Sequence, residues 1–243
     1  MTLKVPALHN IARLYQSTPE KVKQGIIRLH DARPPFSYEK LYEVVQGSLL
    51  VKDSFSNCRA LVEGWSPSIR KDSYLRALGP TEKFFERFER SYEVEVVPRL
   101  YSIGRGLQAP FSPRILCGTC AGPVVPWLLF WKNNPLTEEQ TALFHSLACD
   151  AFSSDPDLEK ARLILVDTSV KALAGTDLPR IVASDELPLV SRDRLRTMLD
   201  TFVAGYMLAQ EELRGRPDAQ VSKREYERRS VDPGAGQWSL FGE

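Results

Sequence analysis

Ala161-Arg162-Leu163-Ile164-Leu165-Val166-Asp167 decides how the chain is read, because an apolar run this short is too compact for a helix and reads as a strand. Before it, Thr137-Glu138-Glu139-Gln140 has the form of a capping box, opening a helix through Leu143, Leu147 and Phe152. After it comes a weaker strand from Arg180 to Ala183. Ser191 then caps a long helix with Leu195, Met198, Leu199, Phe202, Val203 and Tyr206 at helical spacing. Upstream, Tyr92-Glu93-Val94-Glu95-Val96 alternates as a strand does. Further apolar segments at Arg99–Ile103, Arg114–Cys117 and Val124–Trp131 are separated by Gly- and Pro-containing turns.

The first ninety residues read as helical. Ser17 and Thr18 before Pro19 and Glu20 start one helix, with Val22, Ile26, Ile27 and Leu29 on its apolar face. Ser37 starts another, through Leu41, Val44 and Val45, that Gly47 is expected to close. Ile69 to Leu78 is a third, ended by Gly79-Pro80, and Thr81 opens a fourth carrying Phe84, Phe85 and Phe88. The expected fold is mixed α/β (α+β), a helical N-terminal part packed with a small mixed sheet flanked by long helices. The expected boundaries are 1–90 for the helical region and 91–213 for the sheet-containing core. A flexible tether over 214–236 and a peptide motif over 237–243 follow.

Composition bounds the function classes. With 243 residues the chain holds one large domain or two small ones, and a formal net charge of +1 gives no global attraction to nucleic acid or membrane. No apolar run approaches the twenty residues a membrane span needs. The start Met1-Thr2-Leu3-Lys4-Val5-Pro6 lacks the apolar core of a signal peptide, and four cysteines without a secretory context read as reduced thiols. A cytoplasmic protein without membrane contact is expected.

The chain ends on Gln237-Trp238-Ser239-Leu240-Phe241-Gly242-Glu243, after a stretch rich in Pro, Gly and mixed charge. Apolar anchors on such a line suit a peptide ligand. Gln237-x-x-Leu240-Phe241 resembles the peptide by which polymerases, mismatch-repair proteins and replication regulators bind the bacterial sliding clamp. Gln237, Ser239, Leu240 and Phe241 match, and Trp238 replaces the usual Leu. The resemblance implies that Leu240 and Phe241 fill an apolar pocket while Gln237 hydrogen-bonds at the groove entrance. The alternatives are a tail folded onto its own domain, or another partner.

From Thr81 the order of helix, three strands, helix, strand or two, helix resembles the core of the restriction-endonuclease-like nucleases. In that family the third strand carries Asp/Glu-x-Lys and the strand before it an Asp, which together bind the catalytic metal. Here the corresponding stretch is Phe130-Trp131-Lys132, with the acid replaced.

Residue chemistry offers three further candidates. From Val96 to Thr137 there is no Asp or Glu, while Arg99, Arg105, Arg114 and Lys132 remain, so this stretch is either a buried sheet or a nucleic-acid-binding surface. Cys117-Gly118-Thr119-Cys120 with His145 and Cys149 has the spacing of a zinc set, a redox pair or simple core cysteines; the expectation is no cofactor. Ile11 to Val22, with Ile26, looks like a helix-turn-helix or an ordinary helical hairpin. There is no nucleotide loop, nucleophile elbow or triad, and Asp167 reads as a strand-end turn cap. The expected function is a non-enzymatic accessory protein in DNA transactions such as replication, repair, mobile-element activity or defence, recruited to the sliding clamp. The alternatives are a restriction-endonuclease-like nuclease or its inactive relative, and a helix-turn-helix DNA-binding regulator.

Overall fold

The computed structural model describes residues 3–32, 37–66, 69–133, 136–173 and 175–216. Of the expected tether over 214–236, Arg214 and Gly215 belong to the last helix, and the part from 217 onward lies outside the described residues, as does the peptide Gln237, Leu240, Phe241. The chain is α+β, and it divides into two compact units that interleave along the sequence rather than following it.

One unit comprises Tyr38–Arg99 and Phe111–Leu195. Its centre is a five-stranded sheet in the order β1-β4-β5-β6-β7. The strands are β1 (Tyr92–Glu95), β4 (Ile115–Thr119), β5 (Gly122–Leu129), β6 (Arg162–Asp167) and β7 (Arg180–Ala183). β1, β4 and β5 are antiparallel neighbours, β5 and β6 run parallel, and β7 returns antiparallel to β6. The run expected to be a strand is the fourth strand of this sheet, with Leu163 and Val166 fully buried. The parallel step requires a crossover, which α6 (Glu138–Ser153) supplies. Its capping box at Thr137 and Gln140 is present, and Phe144 packs on Trp127 of β5. Helices α3 (Glu39–Val51), α4 (Phe55–Glu63) and α5 (Ile69–Arg87) precede the sheet, and α7 (Val170–Leu173) follows β6.

The helical boundaries correct three expectations. α3 continues through Gly47 to Val51 and ends at Lys52 in the left-handed conformation. Gly47 is only a weak helix interior, and burying Leu41, Val45 and Leu49 outweighs the roughly 1 kcal/mol it costs. α5 runs unbroken across Gly79-Pro80, so the third and fourth expected helices are one. The Thr81 hydroxyl donates to the Ala77 carbonyl at 2.8 Å, and Phe84 and Phe85 beyond Pro80 are buried. Their burial, worth about 1.5–3 kcal/mol each, offsets the proline's lost backbone bond. α4 has no counterpart among the expected elements.

The other unit comprises the described residues within 1–37, 100–110 and 196–216. Its described elements are α1 (Leu8–Leu14), α2 (Pro19–Ala32), most of the hairpin β2 (Arg99–Gly104) and β3 (Leu107–Phe111), and most of α8 (Arg192–Gly215). β3 contains Pro110, which hid it as a strand; a two-stranded ribbon tolerates proline because it has an unpaired edge. α2 buries Val22 and Ile26, and α8 crosses it at Gly205, where an added Cβ would stand 2.6 Å from the Pro19 carbonyl oxygen and the Val22 Cβ. Tyr206 donates its hydroxyl to the Leu3 carbonyl, and Lys23 pairs with Glu212 at 3.1 Å.

Candidate nucleic-acid interface

The four cations of the acid-free stretch have different fates. The Arg99 Nε lies 3.0 Å from Asp155, with Asp157 a further 3.8 Å partner. Asp155 is itself fixed, because its other oxygen accepts the Asp157 amide at 3.0 Å. Arg114 pairs with Glu39 and lies 5.5 Å from the centre of the Tyr42 ring. These two guanidinium groups are therefore committed to carboxylates distant in sequence, and neither offers a free charge. Lys132 is exposed just beyond β5, and its side chain makes no bond among the described residues.

Arg105 is the other uncommitted cation, and its backbone is unusual. β2 and β3 are joined by Arg105-Gly106, both at positive φ, 50° and 75°, after Gly104 at 105°. Positive φ at both central residues matches the right-handed twist of hairpin strands, and those positions normally take Asn, Asp or Gly. Arginine there is exposed and makes no hydrogen bond or ion pair among the described residues. The glycines on either side leave its approach open, since an added Cβ at Gly104 or Gly106 meets nothing within 4 Å.

The ends of β5 and β6, where the nuclease resemblance places a metal-binding acid, hold different chemistry. Phe130 is buried against Tyr38 and Tyr42, with ring centroids 5.8 Å and 4.5 Å away. Arg76 donates to the Thr168 carbonyl at 2.8 Å, the Phe130 carbonyl at 3.0 Å and the Tyr38 hydroxyl at 3.3 Å. It thereby satisfies carbonyls that the ending strands leave over. Asp167 is buried and accepts the Ser169 amide at 2.8 Å, the turn-capping role expected of it. Arg76 carried no sequence signal, since nothing distinguishes it from other polar residues of α5.

The cysteine and histidine set is dispersed in character. Cys117 is buried in β4, and burial pushes its thiol up to about 12, whereas Cys120 is exposed in the following turn. His145 is buried in α6, its pKa lowered by desolvation, with the Pro188 carbonyl opposing. Neither ring nitrogen makes a hydrogen bond of ordinary geometry. Cys149 is half-buried, its pKa raised by burial. Among the described residues, no three His, Cys, Asp or Glu side chains form a metal-holding group. No described helix is long and apolar enough to cross a membrane.

The helix-turn-helix candidate is a real helix pair, with α1 and α2 joined across Tyr15–Thr18. The Thr18 hydroxyl, rather than Ser17, accepts an amide of the first turn, from Lys21 at 3.4 Å. Lys21, Gln24 and Arg28, at positions i, i+3 and i+7 of α2, are all exposed. No family model matches the chain, and neither a curated protein nor a solved structure is similar to it.

Proposed function

We propose that this is a non-enzymatic accessory protein of DNA transactions, in which Arg105 of one unit and Lys132 of the other are separate cations for duplex phosphates, and which is held near DNA by its C-terminal clamp-binding peptide. The observation that carries the reading is the left-handed, exposed and unpaired arginine at the hairpin turn. That conformation costs about 1–2 kcal/mol in a non-glycine residue, and such strain concentrates where a side chain serves a ligand. A guanidinium flanked by glycines reaches a phosphate bidentately without steric hindrance. Arg99 and Arg114, expected to share this task, support the fold through their ion pairs. A metal-dependent nuclease finds less support, because the position of the family's acid is the buried Phe130.

A second reading, a helix-turn-helix regulator, is favoured by the exposed Lys21, Gln24 and Arg28 stripe on α2. Fluorescence anisotropy on a short duplex separates the two. Arg105→Glu with Lys132→Glu should weaken binding to every sequence alike, leaving Lys21→Glu with Arg28→Glu without effect. Strong loss only in the α2 variant, confined to selected sequences, would replace the first reading with the second. Loss in neither would remove both.

A further inference from the structure

A cavity of about 720 Å³ lies in the sheet-bearing unit, between α3, α4 and the end of α5. Its floor is apolar, formed by Leu49, Phe55, Phe85 and Phe88, and the rings of Phe55 and Phe85 stack 5.9 Å apart. Its walls carry five carboxylates against two cations, Lys52 and Arg90. Three of those acids are occupied. Asp53 accepts amide bonds from Ser54 and Asn57, Glu82 pairs with Arg59 at 3.2 Å, and Glu93 pairs with Arg90 at 2.5 Å. Glu86 and Glu89 are exposed and have no partner among the described residues.

The chain itself shows what this wall holds. The Arg90 guanidinium sits 5.3 Å from the centre of the Phe85 ring and donates to the Phe85 and Phe88 carbonyls at 2.6 and 3.2 Å. Ring face, carboxylate and the free carbonyls of a helix end together form a guanidinium seat. Glu86 and Glu89 repeat its acidic component on the same helix end with no cation supplied. We infer that this groove docks an arginine-bearing segment of a partner protein, one guanidinium between the Glu86 and Glu89 carboxylates and an apolar neighbour on the phenylalanine floor. The volume falls in the range of ligand pockets, and the excess of carboxylates repels a polyanion such as nucleic acid. The inference goes beyond the proposed function and does not depend on it.

The test is anisotropy of a fluorescein-labelled Gly-Arg-Leu-Arg-Gly peptide with the full chain at low salt. Binding should weaken by about tenfold in Glu86→Lys with Glu89→Lys, as two exposed charge pairs become repulsions. It should be less weakened in Glu86→Gln with Glu89→Gln, and unchanged in Glu43→Lys with Glu159→Lys, acids away from the groove. Lysine in place of arginine in the peptide should bind more weakly. Equal binding by all the variants, or displacement by spermidine as effective as by unlabelled peptide, would overturn the proposal. Unchanged melting curves establish that the lysine variants are folded, and the glutamine pair decides the matter if they are not.

Discussion

Arg105 occupies a backbone position that asparagine or glycine would fill at lower cost. Arg105→Asn creates the Asn-Gly pair that two-residue hairpin turns prefer, so it should stabilise the chain by up to about 1 kcal/mol. The same change should weaken duplex binding, a gain in melting temperature paired with a loss of affinity. A variant that loses stability instead would show that the arginine serves the hairpin. His145 is the second residue with an energetic signature. Burial lowers its folded pKa below the roughly 6.5 of an unfolded histidine, so the unfolded state binds more protons as pH falls. The stability held above that pH is lost on acidification through the window between the two values. Melting temperatures recorded from pH 7.5 to 5 should fall, and fall less steeply in His145→Met, which keeps the volume without the titration. Parallel curves for the two proteins would count against a buried neutral imidazole.

Gly205 sets how closely two elements approach. A methyl group there improves helix propensity by about 1 kcal/mol, yet it would stand 2.6 Å from the backbone oxygen of Pro19, which cannot swing aside. Overpacking of this kind costs about 1–3 kcal/mol, so Gly205→Ala should destabilise the α2–α8 packing despite the better helix former. A raised melting temperature would mean that the crossing relaxes freely. The run Leu163 to Val166 is legible as a strand because its pattern reflects burial, whereas β1 is legible from alternation alone although it is mostly exposed, and α6 is legible because its cap is written in adjacent residues. What escaped was decided by contacts distant in sequence. Pro80 reads locally as a stop, and only the burial of Phe84 and Phe85 carries α5 through it. Pro110 hid β3 for the same reason, and Gly47 is retained in α3 by the buried faces around it. The site obeyed the same rule: the acid-free stretch gave four cations, but Asp155 and Glu39, which occupy two of them, lie 56 and 75 residues away.

At the scale of the whole molecule, 32 basic residues nearly balance 31 acidic ones, so any attraction to DNA must come from a few uncommitted cations. Each phosphate contact steepens the dependence of log affinity on log salt by about 0.9. With Arg99 and Arg114 committed to Asp155 and Glu39, the slope should be no more than about two, rather than near four. Binding that shallow is weak at physiological salt, and a clamp-held tail would compensate for it. A flexible chain of about twenty residues would reach roughly 25 Å and would raise the local concentration of duplex into the millimolar range. On DNA carrying a loaded bacterial clamp, the parent protein should therefore remain bound at salt concentrations that release it from bare duplex. Leu240→Ala with Phe241→Ala should abolish that advantage while leaving the bare-duplex slope and the melting temperature unchanged. Retention of the advantage would remove the clamp peptide from the account. A large fall in melting temperature would assign Leu240 and Phe241 to the chain's own core, and Arg105 and Lys132 would then have to act on DNA unaided.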